Sequence, residues 1–278
     1  MLRTLAAVAV AAALTGCPAS GDPYTIQVNP MVGTTPFSCG ATVDGLGTTD
    51  SSMWTTDFRM FIHDVAVIDS SGAAVPMTLE ADNEWQSEDT ALLDFADGAG
   101  RCGDMNGATN DLIIGTVPTG TEVAGIEFTV GLPPDMNHID AATAAPPFND
   151  TGLWWTWSGG FKWIRLDMES EEGVPFYFHH GATGCDGTPD TGFSCTYANE
   201  TRIVIDSFNP DTQVLNMDIG SLFAGNDFVA PVDFQAGDVV KGCMAFGGDP
   251  ECQPIFNSLG LNFEDDTAGP AQTVFSAN

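Results

Sequence analysis

Four histidines are the side chains of this sequence best suited to hold a metal or to move a proton near neutral pH: His63, His138 and the adjacent pair His179 and His180. Imidazole suits copper, zinc, iron and nickel, and it stays available where thiols are oxidised. The four lie in three separate segments, and no spacing among them matches a zinc pattern such as His-Glu-x-x-His. A lone histidine is more often a hydrogen-bonded structural residue than a ligand, so convergence of two or more is what would make a centre. A second cluster is aromatic: Trp154, Trp155, Trp157 and Trp163 surround Gly159 and Gly160, with Lys162 between Phe161 and Trp163. If this segment is a strand, Trp155 and Trp157 point to one face. Packing across strands explains most such clusters.

The elements that must position these side chains read as strands. Short apolar stretches recur between Gly, Pro, Asp and Asn clusters: 24–28, 58–68, 112–117, 125–130, 153–157, 161–166, 175–178, 202–205 and 214–219. The pattern is sharpest where Ile126, Phe128 and Val130 alternate with Gly125, Glu127 and Thr129, as a half-buried strand requires. Helical periodicity is confined to a turn or two within 254–261. From Asp135 to Asp150 the chain carries paired prolines and no strand pattern, so residues 131–152 form a long loop. The expected fold is all-β, an antiparallel sandwich-like domain over residues 25–278, either single or in two halves joined by that loop.

The N-terminus has the marks of export. Residues 1–16 hold one basic residue, Arg3, and an apolar run too short to span a bilayer, which reads as a signal peptide. Leu14-Thr15-Gly16-Cys17 has the lipobox pattern, so Cys17 is expected to carry the lipid and 17–24 to be its tether. Pro18 in the following position gives no aspartate-type retention signal, which directs the anchor to the outer membrane, periplasmic or surface-facing. The alternative is an ordinary signal peptide that leaves Cys17 a spare thiol. The six other cysteines are an even set in an oxidising compartment, so three disulfides are expected. Cys185 with Cys195 and Cys243 with Cys252 close local Gly-rich loops, leaving Cys39 with Cys102 as a long-range staple. Thiolates are then spent and unavailable as metal ligands. The formal charge of −31, with Lys162 and Lys241 as the only lysines, excludes nucleic-acid binding. A saline habitat is enough to explain such acidity.

Several segments together resemble one known family. Phe58-Arg59-Met60-Phe61-Ile62-His63-Asp64-Val65 and Leu92-Leu93-Asp94-Phe95, with Cys102 soon after, are similar to its opening strands. Gly131-Leu132-Pro133 followed by Asn137-His138 resembles its middle motif. Residues 155–163 resemble its Trp-x-Trp-x-x-Gly-Tyr-Lys-Phe core, with Phe161 and Trp163 as conservative departures. Residues 178–185, Phe-His-His-Gly-Ala-Thr-Gly-Cys, resemble its Phe-His-Leu-Gly-Ser-Thr-Gly-Cys signature, and the tail from Cys243 through Cys252 to Phe275 also fits. This is the family of the methanobactin-associated periplasmic protein, similar to the methanotroph surface copper proteins. The resemblance implies copper as cofactor, held by histidines and a tryptophan oxidised to kynurenine, and a partner resembling a di-haem cytochrome c peroxidase. Carried over motif by motif, it makes His179 the first ligand, with His63 and His138 as further candidates and Trp155 or Trp157 as the oxidised residue. His180 stands where the family has an apolar residue. Asn137 and Asp64 are candidates to orient the rings. Lys162, a cation near a metal, is expected to pair with a carboxylate on the far face of its strand.

The function expected is non-enzymatic: copper acquisition, storage or delivery by an exported lipoprotein. The alternative is a calcium-stabilised acidic surface or adhesion module, on the acidic stretches 186–190 and 264–266. A hydrolase has no support, since there is no Gly-x-Ser-x-Gly elbow and no nucleophile-plus-base pattern.

Overall fold

The computed structural model describes residues 21–278 except 103–106, 234, 236–239 and 266. The expected signal peptide 1–16 and lipidated Cys17 lie outside the described residues. Residues 21–24, expected as the end of the tether, open the strand Gly21–Val32, where Gly21 is paired with Pro118.

Two sheets face each other. The larger runs in the order Thr201–Ile205, Val123–Val130, Ser51–Asp69, Ile164–Glu169, Pro175–His180 and Gly242–Cys243. Its spine is the 19-residue strand Ser51–Asp69, which also pairs with Thr42–Leu46, Ala74–Pro76 and Thr90–Asp94. The smaller runs Phe275–Ala277, Leu215–Asp218, Gly21–Val32, Leu112–Pro118 and Thr78–Leu79. Hairpins 154–161 and 183–197 stand beside the sheets. Strands occur at each of the expected apolar stretches, whereas the strands Thr42–Leu46, Thr90–Asp94, Thr183–Thr188 and Gly192–Tyr197 lie outside them. A helix of two turns, Cys252–Leu259, overlaps the stretch where periodicity allowed one. The sandwich is not purely antiparallel: Gly21–Val32 runs parallel to Leu215–Asp218, and Pro175–His180 to Gly242–Cys243. In each case the chain between the partners is long enough for the crossover that parallel pairing needs.

Period-2 alternation along the spine sorts its side chains between two environments. Phe58, Met60 and Ile62 enter the core between the sheets, with Ile26, Val28, Phe128, Leu166, Phe178 and Leu215. Each such fully buried side chain stabilises the fold by roughly 1.5–3 kcal/mol over an exposed one. Phe61, on the opposite face, packs with Leu132, Ala141, Phe148, Leu153, Phe161 and Trp163. The long loop 131–153 therefore covers the outer face of the larger sheet and has a small core of its own. The histidine-bearing segments lie under and around that cover.

All three disulfides join the expected partners, with Cα separations of 5.4 Å for Cys39–Cys102, 3.8 Å for Cys185–Cys195 and 4.8 Å for Cys243–Cys252. Among the described residues no helix is long and apolar enough to cross a membrane.

Candidate metal centre

A row of polar side chains crosses the covered face of the larger sheet. The register places Arg165 beside both His179 and Arg59. Arg59 is 1 % exposed, which would be costly for an unpaired cation. Its guanidinium donates through Nε to Asp57 Oδ1 at 2.8 Å and also pairs with Asp57 Oδ2 and Asp150. Arg165 continues the row, 3.1 Å from Asp57 Oδ2 and 2.8 Å from Asp167 Oδ2. Asp167 Oδ1 then lies 2.7 Å from His179 Nε2.

The ionisation of this row defines the state of the imidazole. Burial alone would raise the Asp167 carboxyl, but the hydrogen bond and charge of His179, with Arg165, outweigh it and hold Asp167 below its ordinary value. Burial lowers the His179 imidazole below its ordinary 6.5, and the Asp167 hydrogen bond offsets this only in part. A neutral ring beside an ionised carboxylate keeps its proton on Nε2 and its lone pair on Nδ1. That Nδ1 is buried and makes no hydrogen bond.

Trp155 flanks it. The indole centroid is 6.3 Å from that of His179, and Trp155 Nε1 is likewise buried without a partner. Gly181 makes this approach feasible, because a Cβ there would lie 2.7 Å from the Phe161 carbonyl and 2.9 Å from Cζ3 of Trp155. The turn leading into Trp154 is tied to the same polar row. Asp150 Oδ1 accepts from Gly152 N, and the Gly152 carbonyl accepts from Lys162 Nζ at 2.9 Å and from Arg165 at 3.1 Å. Lys162 thus spends its ammonium on a carbonyl and not on the carboxylate expected of it. Burial, then the Arg165 charge, pushes it down to about 8.

Trp155 and Trp157 do not share a face. The strand Trp154–Thr156 ends before Trp157, and its register with Gly160–Phe161 is irregular. Trp157 instead meets Trp154 edge to face at 5.4 Å and is 40 % exposed.

His138 is held from three sides. Its Nδ1 is 2.8 Å from the Trp157 carbonyl, its ring stacks on Phe193 with centroids 4.3 Å apart, and its Nε2 is 3.2 Å from Asn137 Nδ2. Nε2 also lies 3.5 Å from Cys195 Sγ. Segment 154–157 therefore runs between His179 and His138, giving an indole to one and a carbonyl to the other. His180 points to the other side, fully buried against Trp163 and Phe256, with Nε2 donating to the Asn199 carbonyl. Burial takes it down to about 4. It occupies a core position, as the apolar residue of the family motif would.

His63 is not brought to His179. It lies two strands away and four residues beyond Arg59, which is level with His179, so the Cα atoms are about 16 Å apart at ~4.8 Å per strand and ~3.3 Å per residue. Its own neighbours are carboxylates, Asp64 Oδ2 at 3.1 Å and Glu200 Oε1 at 3.6 Å, neither aligned for a hydrogen bond. The acidic stretches are also engaged locally: Asp186 accepts from Gly187 N, and Asp265 from Thr267 N and Oγ1, while Asp266 is outside the described residues.

Asp167, Asp57, Arg59 and Arg165 were not singled out as site residues on sequence grounds. A signal was available, since Asp-x-Arg at 57–59 and Arg-x-Asp at 165–167 put opposite charges two apart on one face of otherwise apolar strands.

Comparison with known proteins agrees with this architecture. No curated protein matches the chain. Among solved structures, MbnP from Methylosinus trichosporium superposes with a TM-score of 0.83 at 27 % identity, covering 93 % of this chain and 99 % of that one. The family model described as MbnP matches residues 21–245. The chain belongs to the MbnP family.

Proposed function

We propose that this is an exported, non-enzymatic copper-binding protein whose metal is held by Nδ1 of His179 beside Trp155. The observation that carries the reading is the polarised imidazole: Nε2 is committed to Asp167, and Nδ1 is buried and unpartnered next to an indole. Metal-ligating histidines commonly donate their other N–H to a carboxylate, which sets the tautomer and raises ligand basicity. A soft or borderline metal is favoured by nitrogen donors in a site where all six paired cysteines are oxidised. Membership of the MbnP family supports copper as that metal.

In this reading Trp155, and not Trp157, is the tryptophan converted to kynurenine by a di-haem peroxidase-like partner, because it is the one against the ligand histidine. The indole N–H cannot ligate, whereas the aniline nitrogen of kynurenine can. One imidazole and one aniline nitrogen leave coordination positions open, which suits a protein that takes up or hands on its metal. His63 lies outside this centre. A lipid on Cys17 would hold the protein at the outer membrane.

The test is a copper competition titration of the mature protein, before and after treatment with an oxidising di-haem enzyme, with peptide mass mapping of residues 154–163. His179→Ala should abolish tight binding with little change in the melting temperature of the metal-free protein. Trp155→Phe should lose the oxidation product, and Trp157→Phe should retain it. Full copper affinity in His179→Ala would overturn the assignment.

A further inference from the structure

The ligand-capable atoms of His138, Cys185 and Cys195 all lie within 4.8 Å of one another. As the structure stands the two sulfurs are bonded as a disulfide, so they are not thiolates and the trio cannot bind a metal. Opening that bond would change this without moving the backbone. Cys185 and Cys195 are directly opposed on a hairpin whose ladder also pairs Thr183 with Tyr197, Asp186 with Ser194, Gly187 with Phe193 and Thr188 with Gly192. That backbone pairing does not depend on the disulfide and would hold the two thiols next to each other after reduction.

The imidazole is already in the ligating tautomer. A carbonyl only accepts, so the 2.8 Å contact to Trp157 O places the ring proton on Nδ1. Asn137 gives the same answer independently. Its Oδ1 accepts from Trp163 Nε1 at 2.9 Å and Phe161 N at 3.1 Å, which turns its amide NH2 toward His138 Nε2 and requires a lone pair there. The Asn137 bond to Nε2, at 3.2 Å, is at the long end of hydrogen bonds and is what a metal would displace. Stacking on Phe193 holds the ring plane with that nitrogen facing Cys195.

Access also separates this disulfide from the other two. Cys185 and Cys195 are half-buried, whereas Cys39, Cys102, Cys243 and Cys252 are each 5 % exposed or less. His138, Phe193 and Trp157 line a surface recess of about 530 Å³ with Pro134, Asp135 and Pro189.

We propose that His138, Cys185 and Cys195 form a second metal site, gated by reduction, that binds monovalent copper once a dithiol has opened the disulfide. The dithiol delivers two electrons and two protons to the two sulfurs and becomes a cyclic disulfide. On metal binding each thiol releases its proton to water and forms a sulfur–copper bond, with no change in the oxidation state of the metal. Two thiolates and one imidazole make a three-coordinate soft set, which suits Cu(I), while Zn(II) would need a fourth ligand. This site is separate from the His179 centre and does not depend on it.

The experiment uses the mature protein and its His179→Ala variant, pulsed with a dithiol, desalted without oxygen and labelled with iodoacetamide for peptide mapping. The expected label is on Cys185 and Cys195 ahead of the four cysteines of the other two disulfides. Unlabelled reduced protein, titrated with Cu(I) against a chromophoric chelator, should bind one more equivalent than the oxidised protein, in both backgrounds. That equivalent should vanish in Cys185→Ser/Cys195→Ser, and also in reduced wild-type protein whose thiols were first blocked, a control that needs no new variant to fold. His138→Gln should weaken it at least tenfold. Prior reduction of the buried pairs, no extra equivalent with both thiols free, or its persistence in blocked protein would each overturn the proposal.

Discussion

His179 and Asp167 are joined by a 2.7 Å contact between Nε2 and Oδ1, and that contact leaves Nδ1 as the free lone pair of a buried imidazole. Replacing Asp167 by Asn keeps the shape but removes the charge that fixes the tautomer. Loss of such outer partners typically weakens metal binding ~10–100-fold. Asp167→Asn should fall in that range in a copper competition titration, and an unchanged affinity would show that the carboxylate does not orient the ligand.

Arg59 is the buried cation among Asp57, Asp150 and Asp94; burial works against its charge, but the hydrogen bond to Asp57 and the three carboxylates outweigh it and leave the guanidinium firmly protonated. Arg59→Met fills similar volume but strands the acids. Breaking a buried pair from one side costs about 3–5 kcal/mol. Denaturant unfolding should register a loss of that order, larger than for Arg202→Met, whose side chain is 62 % exposed in its pair with Glu127.

Gly160 holds φ of 68°, and a Cβ there would lie 2.6 Å from both Nδ2 and the backbone carbonyl oxygen of Asn137. Gly160→Ala must displace the residue that orients His138 and carries the indole hydrogen bond of Trp163. Overpacking of this kind costs roughly 1–3 kcal/mol. A melting temperature equal to that of the parent would count against Asn137 as a rigid support.

Asp94 is raised to about 7, chiefly by burial, with the Ala96 backbone hydrogen bond and Arg59 opposing. A carboxyl whose folded value exceeds its unfolded value of about 3.9 favours folding most below the unfolded value. That contribution is lost as pH rises through the interval from about 4 to about 7. Asp94→Asn should therefore lose part of the difference in melting temperature between pH 5 and pH 7.5 that the parent shows. Parallel curves for the two proteins would mean that Asp94 is already ionised at the lower pH.

What the amino-acid sequence determined by itself is whatever depends on near neighbours along the chain or on a count. Alternation at Ile126, Phe128 and Val130 marks a half-buried strand because successive side chains point to opposite faces whatever the strand order. The even set of six cysteines beyond Cys17 pairs, and Cys185 with Cys195 is readable because the loop between them is short. Motif order from residue 58 to the tail identifies the family. The tertiary structure decided everything that rests on register between strands distant in sequence. Arg59, Arg165 and His179 come level only because the spine strand, Ile164–Glu169 and Pro175–His180 are neighbours in that order, which makes Asp167 the partner of His179 and leaves His63 on the spine itself, two strands from His179 and four residues beyond Arg59. Likewise the end of the strand at Thr156, one residue before Trp157, sends Trp155 to His179 and Trp157 to Trp154. A two-residue spacing cannot reveal that, because the same-face rule holds only while the backbone remains extended.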